Sequence, residues 1–126
     1  MARTVQHVKY KPTNKGYNMN TLYKITFGTE YDKEGETFIL TDEQAKAMQI
    51  LQQDITDHFG GMSIIRHRGT FKHDSGEMVN EDSLTYEIVA SDKDRKLIVS
   101  IAEDIKEILN QESVLLVETK INAVFI

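Results

Sequence analysis

SDKDRKLIVSIAEDIKEILNQESVLLVETKINAVFI, residues 91–126, decides the fold: an amphipathic helix runs directly into a long apolar strand. Ser91 followed by Asp94 has the form of a helix start. The hydroxyl accepts a free backbone N–H, and the acid suits the positive end of the helix dipole. Leu97, Ile98, Ile101, Ile105, Ile108 and Leu109 then recur at three- and four-residue steps, which puts them on one face, while Lys93, Arg95, Glu103, Lys106 and Glu107 lie mostly elsewhere. Asn110 suits a left-handed terminator, and Val114, Leu115, Leu116 and Val117 form a strand with apolar groups on both sides. Such a helix must pack on a sheet, and such a strand needs cover on two faces.

Working outward, Leu22 to Phe27 reads as a strand with Tyr23, Ile25 and Phe27 on one face. Gly28 to Gly35 is a polar loop, and Glu36 to Leu40 a brief extended segment. Thr41 with Gln44 makes a capping box for a helix whose stripe is Met48, Leu51, Ile55 and Phe59, stopped by Gly60 and Gly61. Met62 to Arg68 and Leu84 to Ala90 are two further strands. The residues between them, Gly69 to Asp82, read as a polar connection turning at Asp74, Ser75 and Gly76. Gln111 to Thr119 is the fourth strand. The order β-α-β-β-α-β predicts a ferredoxin-like α+β fold, a four-stranded antiparallel sheet with both helices on one face, over residues 21–126. Residues 1–20, with Pro12 and Gly16, read as an N-terminal extension.

A chain of 126 residues with 40% hydrophobic content suits one domain with a core of its own. There is no cysteine, which excludes disulfides, a thiol nucleophile and thiolate metal sites. No apolar run approaches the roughly 20 residues that span a bilayer, and no apolar signal-peptide core is seen near the start, so the expectation is a cytoplasmic protein. Arg3, Lys9, Lys11, Lys15 and Lys24 all precede the first acid, Glu30, so the overall charge of −5 divides into +5 on residues 1–29 and −10 beyond. A basic arm that folds back onto an acidic body, or a solvated tail, is the plain reading. Binding of nucleic acid, with Tyr10, Tyr17 and Tyr23 for stacking, is the alternative.

Four stretches carry a resemblance: Phe27-Gly28 closing the first strand, Phe59-Gly60-Gly61 closing the first helix, Gly69-Thr70-Phe71, and Gln111-Glu112-Ser113-Val114 after the second helix. Through them the chain resembles, over roughly residues 22–126, an uncharacterised bacterial family of small α+β proteins, a domain of unknown function. The resemblance implies the fold and carries no activity. Trp usually stands in that family where this chain has Phe71, and its members often carry a secretion signal.

The densest chemistry is Arg66, His67, Arg68, Lys72 and His73, cations and titratable rings with no acid among them. Alternation along the strand groups Arg66 and Arg68 with Met62 and Ile64, and His67 with Ser63 and Ile65. If Ile65 turns toward the helices, both arginines reach the uncovered sheet face. There, with Lys72, they would hold an anionic small molecule such as a nucleotide. If Ile64 is the core residue, they do not. A solvated strand end is the plain reading of the same cluster. No metal site is expected, since His7, His58, His67 and His73 lack ligand spacing, and no cofactor is implied.

The expected function is therefore a non-catalytic binding protein, holding an anionic ligand or docking a host protein, of a kind that serves as a phage or mobile-element accessory or inhibitor. The alternative is a small enzyme using His67 or His73 as acid–base. The apolar strand and the ending Val124, Phe125, Ile126 predict a homodimer or higher oligomer, with Val114, Leu116, Val124 and Phe125 at the interface.

Overall fold

The computed structural model describes residues 19–124 and residue 126. The elements run β1 (Thr21–Gly28), α1 (Asp42–Phe59), β2 (Ser63–Lys72), β3 (Met78–Ala90), α2 (Arg95–Ile108) and β4 (Leu115–Lys120). The strands form one sheet in the order β2-β3-β1-β4, every pair antiparallel, which leaves β2 and β4 at its edges. This is the β-α-β-β-α-β order expected from the sequence. The expected extension, apart from its last two residues, and Phe125 lie outside the described residues.

Both helices start where side chains replace missing hydrogen bonds. Thr41 and Gln44 cap α1 reciprocally, while Ser91 and Asp94 do the same for a short 3₁₀ turn, Asp92–Asp94, that feeds α2. Gly60 ends α1 in the left-handed conformation at φ 89°, where a side chain would be strained, and Asn110 follows α2 at φ 51°.

The core lies between the helices and one sheet face. Tyr23, Ile25 and Phe27 of β1 and Tyr86 and Ile88 of β3 meet Met48, Leu51, Ile55 and Phe59 of α1 and Ile98, Ile101 and Ile105 of α2. The buried hydroxyls of that layer are satisfied, Tyr23 donating to the Ser91 carbonyl at 2.8 Å and Tyr86 accepting from Gln52 Nε2 at 2.8 Å. Leu97 departs from the expected stripe and is exposed, while Ala102 takes a buried place. The helix turns about 100° per residue, and Leu97 falls at the margin of its buried arc.

Two segments differ from the sequence reading. Gly69 to Asp82 is mostly strand: β2 runs to Lys72, β3 starts at Met78, and the turn is confined to residues 73–77. Polar side chains there made the segment look like a loop. An edge strand can expose both faces, and Thr70 pairs with Asn80 across the ladder. Residues 36–40 form no strand beyond a single bridge from Thr37 to Tyr31, and Ile39 points to solvent.

Candidate ligand site on the open sheet face

Alternation along the strands fixes what the second sheet face carries. Ile64 lies opposite Tyr86 and Arg66 opposite Leu84, so these residues share the helix-side face. The other face carries Ile65, His67, Gly69 and Phe71 of β2, Val79, Glu81, Ser83 and Thr85 of β3, Thr26 and Gly28 of β1, and Leu115 and Val117 of β4. No described helix packs on it.

The placement corrects the expectation for the cationic cluster. Arg66 and Arg68 sit on the helix-side face and are exposed. Arg68 is already engaged by Asp82 at 2.8 Å and Glu30 at 3.6 Å. Ile64, not Ile65, follows the core parity, so the alternative that denied the arginines the open face is the one realised. His67 lies on the open face, where Nε2 shares a hydrogen bond with Thr85 Oγ1 at 2.8 Å, and Thr85 in turn meets Thr26 Oγ1 at 2.7 Å. The structure thus separates the arginines from the histidines.

A cavity of about 570 Å³ opens on this face at the hairpin end of the sheet. Its lining includes His67, Phe71, Lys72 and His73, and also Tyr31, Glu81, Gln111 and Glu112. Three of the four stretches that carry the family resemblance meet here: Phe27-Gly28, Gly69-Thr70-Phe71 and Gln111-Glu112-Ser113. Phe71 packs edge-on against His73, ring centroids 5.2 Å apart, and His73 Nδ1 lies 3.3 Å from Glu112 Oε2. Glu112, whose plain sequence reading is a turn residue, is therefore the carboxylate partner that no local motif supplies for His73.

Glu81 is the most unusual group of the cavity. It is a carboxylate only 3% exposed, and burial pushes its pKa up. The backbone N–H groups of Glu30 and Tyr31 donate to its Oε2 at 3.3 and 3.1 Å and offset part of that cost. Glu81 lines the cavity, and its carboxylate lies over Gly28. Gly28 makes this position available, because a Cβ there would stand 2.1 Å from Oε1. Neither residue stands out in the sequence, since Glu81 sits in a polar run and its partners are backbone groups some 50 residues away.

Gln111 closes the same end. It is 7% exposed, and its Nε2 donates to the carbonyls of Tyr31 at 2.9 Å and Leu109 at 3.2 Å. Of the expected interface residues, Val114 and Leu116 face the helices and pack on the core, so the apolar groups that β4 exposes are Leu115 and Val117. Val124 is exposed. Among the described residues no group of histidines and carboxylates is arranged to hold a metal ion, and no helix is long and apolar enough to cross a membrane.

The fold is similar to that of a phage SAM lyase solved in complex with S-methyl-5'-thioadenosine, at 20% identity, a TM-score of 0.58 and 82% coverage of each chain. The apo state of a phage SAM lyase matches at 19% identity, a TM-score of 0.57, and 81% of this chain against 82% of that one. CutA1 from Pyrococcus horikoshii OT3 follows at 14% identity and a TM-score of 0.50, over 83% of this chain and 86% of its own. At these identities the likeness is one of fold. No curated protein matches the chain by sequence. The pattern of the DUF3574 family, proteins of unknown function, matches residues 22–125, and the chain belongs to that family.

Proposed function

We propose that the protein binds a small nucleoside-like molecule, uncharged or cationic, in the cavity of the open sheet face. The observation that carries this reading is Glu81, a carboxylate only 3% exposed that lines the cavity and whose charged form burial disfavours, so a cation or hydrogen-bond donor entering there gains a strong partner. Phe71 and Leu115 offer apolar surface for a ring. Charge argues against the anionic ligand expected from the sequence. Asp32, Asp74, Glu81 and Glu112 line the cavity against Lys72 and two histidines, a field that repels phosphate. The neighbour that holds S-methyl-5'-thioadenosine supports the reading at the level of fold, and its phage origin agrees with an accessory role of that kind.

The test is calorimetric titration with adenosine, S-methyl-5'-thioadenosine, S-adenosylmethionine and AMP. Binding of the first three, weaker binding of AMP, and loss of all binding in Glu81→Gln is the expected pattern. Preference for AMP that depends on Arg66 and Arg68 would return the site to the helix-side face.

A second reading is favoured by the His73–Glu112 pair, which sets an imidazole and a carboxylate within reach of the same cavity. Under it the bound molecule is turned over, and His73 moves the proton. Ligand recovered intact after prolonged incubation decides for retention, and a released product for turnover. Self-association belongs to the proposal as well: β4 is a sheet edge, with Leu115, which lines the cavity, 59% exposed and Val117 38% exposed on the same face.

A further inference from the structure

We propose that the basic segment ahead of β1, residues 1–18, docks in an acidic groove between α1 and α2 of its own chain. The groove, about 480 Å³, is lined by residues that include Ala47, Ile50 and Asp54 of α1 and Asp104, Glu107 and Ile108 of α2. Its lining joins apolar side chains to three acids and contains no base, and Ile50 is 43% exposed. Among the described residues Asp104 and Glu107 take part in no ion pair. Such a surface suits a segment that carries cations and apolar groups together. Residues 1–18 have that composition: Arg3, Lys9, Lys11 and Lys15, no acid, and Val5, Val8 and Tyr10 interleaved among them.

The segment joins the fold within reach of the groove. Met19 is buried and shares a cavity lining with Phe59, the last residue of α1, and the Asn20 side chain accepts from the Asp92 N–H ahead of α2. Asp54 stands five residues before Phe59, which at about 1.5 Å per residue is roughly 7.5 Å along the helix, and Ala47 stands roughly 18 Å from it. An extended chain advances about 3.3 Å per residue, so Lys15 reaches about 13 Å from Met19 and Lys9 about 33 Å, which spans the groove. The cavity of the open sheet face is the poorer dock, because it lies at the Gly28 end of β1 and Lys72 and two histidines line it. Tethering selects the chain's own segment over a free basic peptide: joined beside the groove, it meets that surface at an effective concentration on the order of millimolar.

The experiment uses the full chain carrying Thr13→Cys, which in a protein without cysteine takes a nitroxide at that one position. Docking predicts that the amide signals of Ile50, Asp54, Asp104 and Ile108 lose most of their intensity at low salt. They recover it near 1 M salt, where the screening length falls to about 3 Å. Asp104→Lys combined with Glu107→Lys, both at exposed positions, should restore the Ile50 and Asp54 signals at low salt. Broadening that survives the charge reversal, spreads evenly over the chain, or gathers at Phe71 and Lys72 overturns the groove. Mixing the nitroxide-bearing chain with an isotope-labelled chain that has no nitroxide separates the occupants. Groove signals that broaden as strongly in the mixture belong to the segment of a second copy and overturn docking within one chain, and groove signals left sharp there support it.

Discussion

The carboxylate of Glu81 fills the space in which a side chain at Gly28 would begin, Oε1 lying 2.1 Å from the position of a Gly28 Cβ. A sheet position that any β-branched residue would suit is thus held open for an acid from the neighbouring strand.

Gly28→Ala should therefore act through Glu81. The clashing atoms are the tip of a flexible side chain, so the carboxylate swings out, loses the two amides of Glu30 and Tyr31, and leaves the cavity without its acceptor. The expected cost is about 1–3 kcal/mol of stability, with ligand binding lost. Denaturant unfolding together with titration checks both. Unchanged binding would show that the acid is not required where it stands.

Glu81→Gln should leave the protein as stable or more stable near neutral pH while removing function. A carboxyl whose pKa is raised in the folded state favours folding most when protonated, and that contribution is lost as pH climbs from the ordinary carboxylate range through the raised value. Thermal unfolding of wild type should accordingly weaken across that window, and the variant should show a flatter profile. A variant that unfolds several degrees lower at pH 7 contradicts the assignment.

Ile101, buried between α2 and the sheet, should cost about 2–5 kcal/mol when truncated to alanine. Leu97, exposed on the same helix, should cost under about 1 kcal/mol. Urea midpoints for the two variants test the register of α2 directly.

Self-association through β4 should be abolished by Leu115→Asp and by Val117→Asp and left intact by Arg66→Ala on the opposite edge. Light scattering at high micromolar concentration reads this, and a wild-type monomer would reject it.

The architecture was legible because its signals are local. Thr41 with Gln44, Ser91 with Asp94, Gly60 and Asn110 mark helix ends within a few residues, and the stripes of α1 and α2 state which faces are buried. The face of β2 was not legible. With Ile64 and Ile65 adjacent, hydropathy does not choose the parity, and only pairing with Tyr86 settles it. Glu81 and Gln111 were hidden for the same reason, since both act through the backbone of Tyr31, far away in sequence.

The most direct test of the central claim is amide chemical-shift mapping during titration with adenosine. Shifts that gather at Glu30 and Tyr31, whose N–H groups hold Glu81, and at Phe71, His73 and Gln111 are the predicted result. Shifts confined to Arg66, Arg68 and Asp82, or none at saturating ligand, would contradict it.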